Sequence, residues 1–215
     1  MWDVILFDLD GTVTDPKEGI TKCAAFALAH FGIHVEDTDT LTFFIGPPLT
    51  ETFQNTYGMS ESQAMEAIDV YRQRYSTVGW AENIPYEGIE DCLAALKAAG
   101  KTLLIATSKP EIFSVKILEH FGLAKYFDII CGISLENPNE TKAETIRNAL
   151  ARKGITDLSR AIMVGDRRHD ILGGHQAGIP AIGVLYGYGD RAEHESCQAD
   201  YIVENIDQLT KLLLS

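Results

Sequence analysis

Long apolar runs, paired cysteines and an excess of basic charge are all missing from this 215-residue chain. No uninterrupted apolar stretch reaches the ~18 residues that a membrane-spanning helix needs, so no membrane partner is expected. Cys23, Cys92, Cys131 and Cys197 lie far apart without a C-x-x-C pair, which argues against a zinc site or a disulfide framework and for reduced core thiols. Eighteen Lys and Arg stand against thirty-one Asp and Glu, a formal charge of -13. A surface this acidic repels nucleic acid polymers and anionic membranes. Near the N-terminus, Asp3 and Asp8 bracket the only apolar candidate for a leader, and a cytoplasmic protein is expected. No G-x-G-x-x-G follows a strand and no Walker lysine occurs; Gly183, Gly187 and Gly189 are spaced for neither, which disfavours a nucleotide cofactor.

What is present is an ordinary globular composition, 46% hydrophobic and 23% charged, enough for one substantial core. Val4-Ile5-Leu6-Phe7 is a continuous apolar run of strand length, as in a strand buried on both faces of a parallel sheet. Similar runs at 102–106, 127–131, 161–164, 180–185 and 200–203 alternate with helical patterns. Ile89, Cys92, Leu93 and Leu96 trace one helix face before Gly100. Pro110 opens another helix, with Val115, Leu118 and Phe121 inward. Thr141 with Glu144 forms a capping box, and 170–177 reads as a short helix stopped by Gly178. The alternation predicts an α/β fold with a doubly wound parallel sheet.

Residues 15–81 interrupt that alternation with a wholly helical pattern. Ile20, Cys23, Ala24, Ala27 and Phe31 mark one amphipathic face, and Ser60 with Gln63 caps a helix whose Ala64, Ile68, Tyr71 and Tyr75 share a stripe. The reading is a catalytic core of 1–14 and 82–215 with a small helical cap inserted at 15–81. Turn chemistry at Asp15-Pro16 and Asn83-Ile84-Pro85 marks the connections and candidate hinges.

In open parallel sheets ligands bind beyond the carboxyl ends of the strands. The first strand ends in Asp8-Leu9-Asp10-Gly11-Thr12, the second in Thr107-Ser108-Lys109, and the fourth in Gly165-Asp166, with Asp170 following; Lys142 begins a helix after the third. Four acids, three hydroxyls and two lysines at one edge form a divalent-cation and phosphate constellation. Oxygen ligands such as Asp8 and Asp166 suit Mg²⁺. Asp8 can attack phosphorus, and Asp10 can give a proton to the leaving oxygen and take one from water. Backbone N–H groups at Leu9, Asp10 and Gly11, with Thr107, Ser108 and Lys142, can cradle phosphate. Counted from Asp8 as the first position, Gly11 is fourth, not sixth, which excludes an EF-hand calcium loop.

These four motifs, in this order, resemble the haloacid dehalogenase superfamily across nearly the whole chain. The insert after the first motif, with Gly46-Pro47-Pro48-Leu49 and Thr107-Ser108-Lys109-Pro110, is similar to its phosphoglycolate-phosphatase-like branch. The resemblance implies Asp8 as nucleophile and Asp10 as acid/base whose backbone carbonyl also reaches Mg²⁺. It implies Thr107 and Lys142 on phosphate, Asp166 on the metal, and Asp170 orienting Lys142 or a metal-bound water, with Thr12 behind them. Gly46, Lys109 and Arg167 are candidate substrate contacts. An acid at Asp10 implies a phosphatase rather than a dehalogenase.

Two departures from that branch leave the substrate open: Lys142 precedes Ala143-Glu144 rather than proline, and Ser108 stands where Asn is common. Phosphoglycolate, a nucleoside monophosphate and a sugar phosphate all remain candidates. A sugar phosphomutase resembling β-phosphoglucomutase, or a binding module without turnover, are the competing functions. The bland readings are charge balance for Arg167 and Arg168, surface roles for His169 and His175, and core packing for Phe43-Phe44-Ile45.

Overall fold

Contacts divide the chain into two units, Met1–Asp15 with Pro85–Ser215, and Pro16–Ile84. The computed structural model describes residues 2–134 and 140–215. The loop expected to lead to Lys142 includes residues 135–139, which lie outside the described residues.

Unit Pro16–Ile84 contains helices α1 (Lys17–His30), α2 (Leu49–Tyr57) and α3 (Glu61–Thr77). On α1 the buried face is Ile20, Cys23, Ala24, Ala27 and Leu28. Leu28 takes the place expected of Phe31, because the helix ends at His30 and Phe31 is its cap. The capping box of α3 forms as its sequence dictates: the Ser60 hydroxyl accepts the Gln63 N–H, and the Gln63 side chain accepts the Ser60 N–H at 2.9 Å. Its Ala64, Ile68, Tyr71 and Tyr75 are buried. Arg74 holds Glu82 through two hydrogen bonds of 2.7 and 2.9 Å. Phe44 and Ile45 are core residues, whereas Phe43 is 39% exposed.

In the other unit a six-stranded sheet runs β5-β4-β1-β6-β7-β8, parallel throughout. Its strands are β1 (Val4–Phe7), β4 (Thr102–Pro110), β5 (Ile129–Ile133), β6 (Ala161–Gly165), β7 (Ala181–Val184) and β8 (Tyr201–Val203). β2 (Thr14–Asp15) and β3 (Ile84–Pro85) are two-residue strands at the boundaries of the two units. The helices are α4 (Ile89–Ala98), α5 (Glu111–His120), α6 (Lys142–Lys153), α7 (Arg168–Ala177), α8 (Arg191–Ser196) and α9 (Ile206–Leu214). Every residue of β1 is buried, as its unbroken apolar run requires. On one sheet face Leu6, Leu104, Ala106, Met163 and Ala181 pack against Ile146, Ala149 and Leu150 of α6 and Ile171 and Ala177 of α7. The buried residues of α5 are Ser114, Ile117 and Leu118, so Leu118 is inward as expected while Val115 and Phe121 are only partly buried. β4 runs on to Pro110, so the helix starts only at Glu111, and Phe121 is its C-terminal cap.

The third core strand begins at Ile129, two residues later than its apolar run suggests. Asp128, just before it, donates its N–H to Leu103 O at 2.8 Å and uses its side chain elsewhere. Its carboxylate accepts the Leu103 N–H at 3.1 Å and binds Lys97 at 2.7 Å and Lys153 at 3.0 Å, tying β4, α4 and α6 together. Partial burial pushes this carboxyl up, but the two ammoniums and the N–H more than reverse that and hold it at about 2. Its folded value lies below the ordinary aspartate value, so the stabilisation is complete above the unfolded pKa and fades as pH falls through the folded one. Asp128→Asn is therefore expected to lower stability by about 1 kcal/mol at pH 7, a figure reduced for solvent screening. Urea midpoints of wild type and variant should converge between about pH 4 and pH 2; a gap independent of pH would refute the ionic account.

Candidate active site

The carboxyl ends of β4, β1 and β6, neighbours in the sheet, carry Thr107, Asp8 and Asp166 to one edge. The Asp8 N–H donates to Val164 O at 2.9 Å, which ties the turn after β1 to β6. Carboxylate oxygens of Asp8, Asp166 and Asp170 lie within 4.8 Å of one another. Lys142, the first residue of α6, places Nζ 2.7 Å from Asp8 Oδ1 and 2.7 Å from Asp170 Oδ1. Asp170 also accepts the Arg167 N–H at 3.0 Å through Oδ2, so it caps α7 and holds Lys142 at once. Asp10 is turned elsewhere: its Oδ2 receives the Lys109 ammonium, and its Oδ1 is buried with no hydrogen-bond partner among the described residues.

Asp166 is 1% exposed and held on both oxygens, by the Thr12 hydroxyl at 3.5 Å and by the Tyr188 N–H at 2.8 Å. Burial, then the charges of Asp170 and Asp8, push its carboxyl well above the usual range. Burial likewise raises Asp170 against the pull of Lys142, and raises Asp10 against the pull of Lys109. Burial opposes the charge on Lys142, but Asp170 and Asp8 outweigh it and hold the ammonium above its ordinary value. Four carboxyl groups thus face two ammoniums in a buried place. The all-oxygen set of Asp8, Asp166 and Asp170 fits a hard divalent cation, which would offset the remaining negative charge. This cluster contains Asp170 and not the Asp10 carboxylate, for which the resemblance implied only a backbone carbonyl.

Among the phosphate candidates, Thr107 is buried, and its hydroxyl oxygen accepts the Lys109 N–H at 3.2 Å, which leaves its own O–H to donate. Ser108 is exposed. The Gly11 N–H is spent on Thr14 O at 2.8 Å, so the expected donation to phosphate is not available from it in this geometry. Gly11 serves the site through shape instead: it has φ +81°, and a Cβ there would lie 2.1 Å from Asp166 Oδ2. Lys109 is engaged with Asp10 rather than open to a substrate, and Arg167 Nε donates to Glu193 at 3.0 Å, in keeping with charge balance. His175 pairs at 2.8 Å with Asp200, which is not one of the clustered carboxylates. Gly46 belongs to the Pro16–Ile84 unit and is exposed.

The loop after β7 was not foreseen as part of the site. Tyr188 N–H reaches Asp166, the Tyr188 hydroxyl donates to Asp15, and the Tyr186 hydroxyl donates to Thr12 O at 3.1 Å. A Cβ on Gly187 would fall 2.3 Å from Gly11 O and 2.4 Å from Asp166 Cβ, so glycine is required for this approach. The signal was present in Gly187-Tyr188-Gly189 directly after a buried strand, at the sheet edge already singled out for the other strands.

A family model described as haloacid dehalogenase-like hydrolase matches residues 5–184. A 5'-nucleotidase of Pseudomonas aeruginosa is 43% identical over 211 residues, 98% of this chain and 95% of that protein. The tyrosine-protein kinase PtkA of Mycobacterium tuberculosis is 40% identical over 98% of this chain and 72% of its own length. The crystal structure of a predicted phosphatase from Clostridium acetobutylicum superimposes with a TM-score of 0.94 at 46% identity, covering 100% of this chain and 99% of that one. With its carboxylates and lysine gathered at the edge of a parallel sheet, this chain belongs to the haloacid dehalogenase-like hydrolase family.

Proposed function

We propose that the chain is a Mg²⁺-dependent phosphatase that hydrolyses a small phosphomonoester through an aspartyl-phosphate on Asp8. The observation that carries the reading is Lys142 bridging Asp8 and Asp170 beside Asp166, because it puts a fixed positive charge on a nucleophilic carboxylate in a buried site. A carboxylate oxygen of Asp8 attacks phosphorus, and the bond to the leaving oxygen breaks. Asp10 gives that oxygen a proton. Water then attacks the phosphorus of the aspartyl-phosphate, Asp10 takes a proton from it, and inorganic phosphate leaves with Asp8 restored.

Lys142 and the Thr107 hydroxyl are assigned to the phosphoryl oxygens, with the Leu9 and Asp10 main-chain N–H groups beside them. Asp170 keeps Lys142 in place. Asp8 and Asp166, with the Asp10 carbonyl, would hold Mg²⁺. When bound, the ion supplies charge neutralisation that lets an anionic carboxylate approach an anionic phosphate. The helical unit is assigned the part of a cap that excludes water and selects the leaving group, with Asp15-Pro16 and Asn83-Ile84-Pro85 as hinges.

The phosphatase names among the relatives support hydrolysis, and the nucleotide named for the Pseudomonas protein puts nucleoside 5'-monophosphates first in a substrate panel, before phosphoglycolate and sugar phosphates. The relative named for tyrosine phosphorylation makes transfer to another acceptor the reading to be separated, along with a sugar phosphomutase. Steady release of inorganic phosphate separates hydrolysis from both.

With p-nitrophenyl phosphate and Mg²⁺, Asp8→Asn is expected to lower turnover at least about a hundredfold while the variant keeps its melting temperature within a few degrees. Unchanged turnover removes Asp8 as nucleophile. Chelation with EDTA should abolish phosphate release and added Mg²⁺ should restore it; activity that survives exhaustive chelation rules out the dependence on a divalent cation.

A further inference from the structure

Lys109 is a buried ammonium for which the mechanism above has no task. It is 9% exposed, and its Nζ contacts Asp10 Oδ2. The backbone is shaped to bring it there. Thr107 of β4 pairs with Gly132 of β5, and Pro110 pairs with the next residue, Ile133, so the register shifts at Ser108 and Lys109, which form a bulge. Bulges of this kind re-aim side chains near active sites. The Lys109 N–H is anchored on the Thr107 hydroxyl at 3.2 Å. Gly132 leaves the room for it, since a Cβ there would stand 2.4 Å from Lys109 O and 2.7 Å from Glu111 N.

The outcome at Asp10 is asymmetric. One carboxylate oxygen is occupied by Lys109, and the other, Oδ1, is buried without a partner among the described residues. A buried carboxylate oxygen is costly to leave unpaired and often marks the atom that a reacting group completes. We propose that Lys109 is a positioning residue for proton transfer: it pins Oδ2 of Asp10 so that Oδ1 alone meets the departing oxygen. This rests on the reading of Asp10 as the acid that protonates the leaving group, and it adds a residue that the reading does not use. Simple charge balance would also place a lysine beside Asp10, but it would not make the lysine matter more for poor leaving groups.

That difference is the test. Values of kcat/KM for phenyl phosphate, whose leaving group needs protonation, and for p-nitrophenyl phosphate, whose leaving group needs little, are compared in wild type, Asp10→Asn, Lys109→Met, Lys109→Arg and the Asp10→Asn/Lys109→Met double variant. Asp10→Asn should lose at least about tenfold more on phenyl phosphate than on p-nitrophenyl phosphate. Lys109→Met should show the same selective loss, Lys109→Arg should recover part of it, and inhibition by inorganic phosphate should stay within about threefold of wild type. In the Asp10→Asn background Lys109→Met should add no further selectivity, the mark of coupled residues.

Selectivity in Lys109→Met below about tenfold, with Asp10→Asn selective, overturns the positioning role and leaves the Asp10 reading intact. A non-selective Asp10→Asn overturns the reading of Asp10 and the inference with it. If Lys109→Met does not fold, the double variant, which removes both charges, decides the matter against Asp10→Asn alone: further selective loss overturns the proposal and none supports it.

Discussion

Repulsion among carboxylates at one sheet edge is the constraint to which the other features of the core answer. Asp8, Asp10, Asp166 and Asp170 all lie beyond the ends of β1 and β6, little exposed to solvent. Buried charges of one sign are tolerated only when paired and hydrogen-bonded. Lys142 answers for Asp8 and Asp170, Lys109 for Asp10, and the Thr12 hydroxyl with the Tyr188 N–H for Asp166. The two lysines do not complete the compensation, and the remainder is where a divalent cation fits.

Glycines mark the places where backbone had to come close to those carboxylates. Gly11 and Gly187 meet around Asp166, and Gly132 makes room for the bulge that carries Lys109. Each position would place a methyl group inside another atom's radius, which makes these residues part of the site although none of them has a functional group. Stability and function share residues here: Asp170 caps α7 through one oxygen and holds Lys142 through the other.

Much of the fold was legible locally. β1 is an apolar run with no alternation, the α3 and α6 capping boxes are spelled out by Ser60 with Gln63 and Thr141 with Glu144, and Gly178 ends α7 in a left-handed conformation. Less was legible where tertiary contacts set the boundary. α2 falls in the stretch expected to be helical but is not singled out there, because Leu49–Tyr57 is short and mostly polar; α8 and α9 lie in a C-terminal region read mainly for its strands. β5 starts at Ile129, beside Asp128, whose N–H already pairs with Leu103 O while its carboxylate joins three other elements.

The candidate residues divide along the same line. From the amino-acid order alone came the acids after β1 and β6, the threonine near the end of β4 and the lysine at the head of α6, because each is fixed by the element it belongs to or borders and parallel strands deliver their ends to one edge. Only the tertiary structure decided which ammonium meets which carboxylate, that Gly11 gives space rather than its N–H, and that the Gly187-Tyr188-Gly189 loop closes on Asp166. Those are distances between segments up to about 180 residues apart in the chain. No local pattern specifies them; they follow from how the strands are ordered and how closely their loops can approach.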